Sequence, residues 1–390
     1  MQDFDFVVIG AGPAGEAAVH KARALGASVA VADKEWFGGS CPHIGCIPSK
    51  SLLHGAAVHA GGGDYPWERA AARRDWMVNR APDAAVPDDG GHKRALEAAG
   101  ATAYRGRARI VARGRVAVTH ESTTHELGAR HVIVAVGSTS KVPPVEGISE
   151  VSPWTNREAT LARELPRSLL VLGGGPTGCE LAQVFARFGV PVTVVQSGPR
   201  LLPTEHARNA EAVRWALEHD GVTVRTGARA IRARAGAGPD GAHVIDLDDG
   251  TSVTGHAVLL AVGREFPLGD LGLEHYGVTL TGPDAYRRDG SLRLADGLWI
   301  VGDPAGPELH THQGHYQGEL AVRMALGEDV TPDYRALPRA TYMDPEAASV
   351  GMTLEQAQAA GVDAFECVAA FPQTAKGYSV EAETGHVTIV

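Results

Sequence analysis

The chain has 390 residues, of which 44% are hydrophobic and 21% charged, with 48 glycines and a formal net charge of -10 at pH 7. The length allows two or three domains that each bury a core, and the glycine excess fits a chain rich in tight turns and phosphate loops. The negative charge argues against nucleic acid or an anionic membrane as the main partner, since both need basic patches.

The first predicted element is a strand over residues 4–9 (FDFVVI), and neither a basic leader nor an apolar leader core precedes it. It runs into Gly10-Ala11-Gly12-Pro13-Ala14-Gly15, then a helix reaching Leu25, a stop at Gly26 and a strand, SVAVAD, that ends at Asp33. In such a unit the first glycine makes the tight turn, the second lets a pyrophosphate approach the backbone, and the third lets helix and strand pack closely. The helix start then offers free amides and a positive dipole end to phosphate.

GGSCPHIGCIPSK follows, residues 38–50. Cys41 and Cys46 stand at i and i+5, which a regular helix separates by about 7.5 Å of rise and about 140° of rotation. A disulfide allows about 6.8 Å between Cα atoms at most, so a bridge here requires a distorted helix, and Gly45 and Pro48 are expected to distort it. Held in that way the pair is a redox group more than a staple; two ordinary reduced cysteines near a helix start is the reading that the spacing alone leaves open. Residues 55–100 read as irregular helix, broken at Gly61-Gly62-Gly63 and by a proline- and acid-rich loop near 82–91. Short strand patterns come next, RARIVAR, RVAVTH and HVIVAVG.

A second copy of the first unit begins at residue 168. Strand SLLVLGG leads to Gly173, Gly175 and Gly178 at the same spacing, then a helix to Phe188, a stop at Gly189 and strand PVTVVQ ending at Gln196. The duplication, with an acid at the ribose position of the first copy, predicts two dinucleotide-binding βαβ units. Strands GVTVRT, HVIDLDD and HAVLLAVG follow, then the apolar strand LWIVGD, a His-rich helix start, and a last region from about residue 332 with a helix over 354–360. Four cysteines, Cys41, Cys46, Cys179 and Cys367, are too few for a secreted disulfide framework. No run approaches the about 18 apolar residues of a membrane span. A reducing cytoplasm is the expected compartment.

On these residues the chain resembles the class I pyridine nucleotide-disulfide oxidoreductases, the flavoprotein family of dihydrolipoamide dehydrogenase, glutathione reductase, mycothione reductase and mercuric reductase. GGSCPHIGCIPSK resembles the family's redox-disulfide segment, usually GGTCxNxGCIPSK. AVGS at 135–138 and AVGRE at 261–265 resemble the returns from its two nucleotide domains, and LWIVGD at 298–303 its second flavin motif. LHTHQGHYQG resembles the helix start against the flavin ring, and PRATYMDPEAASVGMT the opening of the interface domain.

The resemblance implies an α/β fold of two Rossmann-like three-layer nucleotide-binding domains, with FAD on 1–147 and 265–331 and NAD(P) on 148–264, plus a partial α/β interface domain over 332–390. It implies Cys41 as the thiol that exchanges with substrate, Cys46 as the thiol beside the flavin, and Lys50 near flavin N5, paired with Glu180. Gly10, Gly12, Gly15 and Asp33 would bind the ADP half of FAD, with Gly106 to Ala108 and Ala135, Val136 and Gly137 lining its adenine side, Asp303 on the ribityl chain and His312 at the ring. Gly173, Gly175, Gly178, Gln196 and Gly263 would take the nicotinamide nucleotide. The expected activity passes electrons between NAD(P)H and a small-molecule or thiol/disulfide substrate through flavin and the Cys41–Cys46 bridge, with Cys41 leaving as a thiolate whose pKa a nearby cation or base must depress. Its rivals are an NAD(P)H oxidase or quinone/dye reductase that does not use the bridge, and a catalytically idle flavoprotein.

Three departures stand out. The family's acid/base is a His oriented by a Glu, in an HPTxxE segment delivered across a dimer interface. The sequence ends at GHVTIV ahead of any such segment, so the expectation is a truncated chain or a shortened member with altered chemistry, and a homodimer if the interface domain is complete in the native protein. Pro42 and His43 replace the usual apolar-Asn pair, and His43 reads as a solvent-facing imidazole. Gln196 replaces the acid of NADH-preferring members without the basic pair of a strict NADPH site, which leans slightly to NADPH or to dual use. No metal is expected at His310, His312 and His315, and Cys179 and Cys367 read as packing thiols.

Overall fold

The computed structural model describes residues 2–79, 87–280 and 290–390; residues 82–86 of the proline-rich loop lie outside the described residues. The chain divides into two compact units.

The first unit is Met1–Pro48, Asp75–Thr139 and Arg264–Tyr334. Strand Gln2–Ile9 pairs in parallel with Val29–Asp33 on one edge and Thr123–Val134 on the other. Thr102–Arg105 and Leu298–Ile300 extend the parallel sheet outward on those two edges. Phe6, Val7 and Val8 are all fully buried, a continuous apolar run of the kind parallel strands carry when both faces are covered. Helices Pro13–Ala24 and Thr311–Ala325 share that core through Ala14, Ala18, Leu320 and Ala321. They cross so closely that a Cβ on Gly318 would fall inside 3.0 Å of the Ala14 carbonyl.

The second unit is Ser49–Arg74, Ser140–Gly263 and Arg335–Val390. Its parallel sheet runs Thr223–Thr226, Val192–Gln196, Leu169–Leu172, Ala257–Leu260. Beside it stand an antiparallel sheet, Ala230–Arg234, His243–Leu247 and Ser252–Gly255, and two antiparallel strand pairs, Pro338–Thr341 with Ala347–Val350 and Cys367–Ala370 with His386–Ile389. Sequence boundaries put residues 49–74 with the first nucleotide unit, yet they cluster here. The reason is apolar: Leu52, Leu53, Ala56, Trp67 and Ala70 are buried in one core with Phe185, and the Trp67 ring lies 5.7 Å from Phe185 and 5.2 Å from Phe188.

The same local signals set the leading helix of each unit. Gly12 and Gly175 are N-caps with extended backbone, Pro13 and Pro176 occupy the first helical position, and Gly26 and Gly189 follow the C-caps with φ +82 and +85.

Candidate active site

Both glycine turns are closed by their own backbone. A Cβ on Gly10 would fall inside 3.0 Å of the Ala135 carbonyl, and one on Gly15 inside 3.0 Å of the Gly10 carbonyl. In the second unit Gly173 stands in that relation to Ala261, and Gly178 to Gly173. Gly10 and Gly173 have φ +104 and +110, where a side chain is strained. The middle glycines differ in kind: Gly12 lies 3.7 Å (as a virtual Cβ) from Gly39 Cα, and Gly175 faces open space. No side chain caps either helix start, so the first-turn amides remain available to an anion. These cradles fit the pyrophosphates of FAD and of a nicotinamide nucleotide.

The ends of the second strands repeat the match. Asp33 Oδ2 accepts from Ala11 N at 2.8 Å, and Gln196 Oε1 accepts from Gly174 N at 2.8 Å. Asp33 Oδ1 also accepts from the amides of Glu35 and Trp36, at 2.8 and 3.0 Å; burial pushes its pKa up against those bonds. Gly106 N donates to Asp33 O at 2.8 Å, which brings that predicted adenine-side glycine to the same edge. Ala108 is instead a core residue of the sheet, together with Ala135, while Val136 packs against that core. Gly137 turns the chain with φ +62, and Gly263 does so with φ +115.

The redox segment is two helices, Ser40–Ile44 and Cys46–Ala60, broken at Gly45 with φ -119 and ψ -112. Gly45 is the distortion expected from the cysteine spacing. Pro48 is not: it occupies the first turn of the new helix, where its missing N–H has no intrahelical partner to lose. The Cys41 and Cys46 side chains are in mutual contact, and Cys46 Sγ lies 3.5 Å from Thr311 Oγ1. The sequence argument required a depressed Cys41 pKa; the structure reverses the sign, because the hydrogen bond with Cys46, then burial, push the Cys41 thiol up. His43 is also corrected. It is buried, 1% exposed, with Nδ1 2.7 Å from Gly39 O and its ring against Trp36 and His92.

In the second unit Lys50 Nζ donates to both oxygens of Glu180, at 2.8 and 3.1 Å. Glu180 is 5% exposed and also accepts from Tyr342 N at 2.9 Å. Lys50 Nζ lies 4.5 Å over the Tyr342 ring, so the ammonium is held by a carboxylate and a π face together. Sequence reasoning did not single out Tyr342. Cys179 is fully buried, with Sγ 3.4 Å from Gly174 O, and burial raises its pKa to about 12; it packs, as expected. Cys367 does not, since it lies exposed on its strand.

Around the second flavin motif, Asp303 accepts from Ser138 Oγ, and Ser138 in turn accepts from Arg264 Nε. Two buried glutamines passed over in the sequence, Gln313 and Gln317, tie the loop that follows: Gln317 Oε1 accepts from Gly302 N at 2.8 Å, and both side-chain amides donate to Gly306 O. Only their i, i+4 spacing on one helix face could have signalled them. His312 is exposed, with its ring stacked on His310 at 5.1 Å.

Comparison with known proteins agrees with this arrangement. The family described as pyridine nucleotide-disulphide oxidoreductase matches residues 4–318, and its dimerisation domain matches 337–390. The chain is 34% identical over 373 residues to a dihydrolipoyl dehydrogenase of Chlorobaculum tepidum, covering 92% of this chain and 78% of that one. It is 32% identical over 395 residues to a dihydrolipoyl dehydrogenase of Thermus scotoductus, covering 97% and 82%. Among solved structures, LpdA from Mycobacterium tuberculosis superposes with a TM-score of 0.87 at 26% identity, covering 100% of this chain and 86% of that one. The Cu(II) complex of the HOCl-induced flavoprotein disulfide reductase RclA from Escherichia coli gives 0.86 at 25%, with the same coverage. With its two nucleotide cradles and its paired thiols, the chain belongs to the pyridine nucleotide-disulphide oxidoreductase family and is an FAD-dependent, pyridine nucleotide-linked disulfide oxidoreductase.

Proposed function

We propose that Cys41 and Cys46 are the working redox pair and that the substrate is a lipoyl-type vicinal dithiol or its disulfide, the class named for the relatives above. The observation that carries this is the contact of the two thiols at the Gly45 helix break, in the unit that holds the first nucleotide cradle. Unit one supports the reading of an FAD domain, residues 148–264 of a nicotinamide nucleotide domain, and 332–390 of an interface domain in a homodimer. The Gly10–Gly15 turn would hold FAD, which when bound would supply two-electron transfer between the nicotinamide and the sulfur pair.

In the direction of disulfide reduction, the Cys41 thiolate attacks one sulfur of the substrate, breaking the substrate S–S bond and releasing one thiolate. Cys46, as thiolate, then attacks the Cys41 sulfur of the mixed disulfide, releasing the second and closing the Cys41–Cys46 bond. The pair loses two electrons and two protons; the substrate disulfide takes up the electrons, and the two thiolates so formed take up the protons. Because the Cys41 thiol is pushed up by its partner, this attack needs a base at Cys41. Lys50, fixed in the second unit by Glu180 and Tyr342, is the residue that the resemblance puts near flavin N5.

Gln196 supports use of NADPH. A backbone N–H only donates, so Gly174 N fixes Oε1 inward and leaves the donor Nε2 as the outward group. A neutral donor there does not repel a 2′-phosphate as a carboxylate does. Four cysteines are too few for a secreted disulfide framework, in keeping with a cytoplasmic protein, and among the described residues no helix is long and apolar enough to cross a membrane.

The test is Cys41→Ser. Turnover of lipoyl substrate is lost while NAD(P)H-dependent reduction of a quinone dye persists. Unchanged turnover with the physiological acceptor in that variant makes the protein an oxidase or dye reductase instead.

A further inference from the structure

The backbone that leads into the redox cysteines is gripped by two imidazoles. Gly38 and Gly39 have φ +91 and +68, and Gly38 N donates to Ala11 O of the first nucleotide turn at 2.7 Å. A Cβ on Gly39 would fall inside 3.0 Å of Gly12 Cα. Neither glycine has a side chain to fix this register, so other groups must do so. The His92 ring covers Gly38, where a Cβ would meet ring carbons at 2.8 Å. His43 Nδ1 donates to Gly39 O at 2.7 Å, at the N-cap of the helix that carries Cys41. The two rings meet edge to face at 5.7 Å.

We propose that His43 and His92 are positioning residues that clamp Gly38–Gly39 onto the dinucleotide turn, and so set Cys41 against Cys46, while His43 carries a single ring proton. The consequence for the cysteines rests on reading them as the redox pair; the clamp itself does not.

The charge around His43 decides how many protons it holds. From helix Gly90–Ala98 it faces His92, whose Nδ1 lies 2.9 Å from Glu16 Oε1 on helix Pro13–Ala24. From the lead-in to that helix it faces the Asp88 backbone and the Asp89 carboxylate. Asp89 is already engaged by Arg105, from strand Thr102–Arg105, and by Phe37 N at 2.8 Å. The segment after Asp33 presents the neutral Trp36 indole, at 5.4 Å. One N–H suffices for Gly39 O. A second proton would serve the Asp88 carbonyl but would bury a cation beside His92. Burial first, with His92 adding to it, holds His43 below its ordinary value against the pull of Gly39 O, Asp89 and Asp88.

The sign follows. Since the folded value lies below the unfolded one, the clamp is at full strength above the ordinary imidazole range, about pH 6.5. It weakens as pH falls below that, about tenfold per unit, until the folded group protonates.

The test is hydrogen exchange by mass spectrometry on the reduced holoprotein, comparing segment 36–46 with segment 173–180 of the second nucleotide turn, which carries no imidazole, from pH 7.5 to 5. After correction for intrinsic rates, opening of 36–46 is expected to rise about tenfold per unit below about pH 6.5, with 173–180 unchanged. His43→Asn, a neutral donor, should abolish the rise, and His92→Gln should weaken it. A parallel dithiol–disulfide equilibrium against glutathione should show the same pH dependence in the wild type and lose it in His43→Asn. Equal pH dependence of both segments in the wild type, or an unchanged rise in both variants, overturns the clamp; a flat glutathione equilibrium alongside the expected exchange overturns the positioning of the cysteines. Failure of the redox reading shows separately, as unchanged lipoyl turnover in Cys41→Ser.

Discussion

Gly175 and Gly178 occupy one turn yet should fail in different ways when each is replaced by alanine. Gly178→Ala drives a Cβ inside 3.0 Å of the Gly173 carbonyl, and that carbonyl cannot yield cheaply, because the Gly173 amide is fixed on Val195 O at 2.8 Å. The helix has to lift off its strand by an ångström or more, at a cost of about 1–3 kcal/mol. Gly175→Ala meets nothing within 4 Å, and its φ -78, ψ -178 suit any residue. Folding is therefore unchanged or gains about 0.4–1 kcal/mol from a stiffer unfolded chain. Its methyl, however, stands where phosphate approaches the uncapped first turn, so NADPH affinity should fall about tenfold or more, roughly 1.4 kcal/mol. Thermal unfolding by circular dichroism and equilibrium fluorescence titration with NADPH separate the two effects. Wild-type NADPH affinity in Gly175→Ala, or equal destabilisation by both substitutions, would refute the cradle.

Lys50→Met should destabilise the fold by about 1–2 kcal/mol. That is below the about 3–5 kcal/mol of a fully buried pair, because the Lys50 side chain is 35% exposed. Adding Glu180→Gln, which keeps an acceptor for Tyr342 N, should recover most of the loss in denaturant titration, and additive losses would contradict the pairing. Gln196→Glu should shift the NADPH-to-NADH ratio of kcat/KM toward NADH by about tenfold or more; an unchanged ratio refutes the role given to Gln196. Alkylation of Cys41 in the reduced protein should rise only at pH values above the ordinary thiol range, about 8.5. Cys46→Ala should move that profile to lower pH, because Cys46 is the largest cause of the upward shift.

Much of the architecture was legible because it rests on local signals. Glycine at N-cap, proline at the first helical position and glycine beyond the C-cap recur in both copies, and each fixes a backbone conformation whatever lies around it. The Gly45 break was legible too, from cysteine spacing and disulfide length. What escaped depends on neighbours distant in sequence. Strand Ala230–Arg234 is rich in arginine and buries only Ala233, so it carries little alternating signal and is defined by its partner. His43 reads as polar and exposed on a helix turn, and only residues 36, 39 and 92 bury it. Gln313 and Gln317 look like surface residues until Gly302 and Gly306 supply their partners. Pro48 misled because its effect depends on helix register: it disrupts an interior turn but is harmless in the first one.

The central claim is that the Cys41–Cys46 pair carries electrons. Anaerobic titration of the oxidised holoprotein with dithionite tests it most directly by counting electrons, with free thiols assayed at each point. The account predicts that the wild type takes up two electron pairs, the first appearing as two new thiols, whereas Cys46→Ser takes up one pair and gains no thiol. Uptake of a single pair by the wild type, with no thiol released, would contradict it.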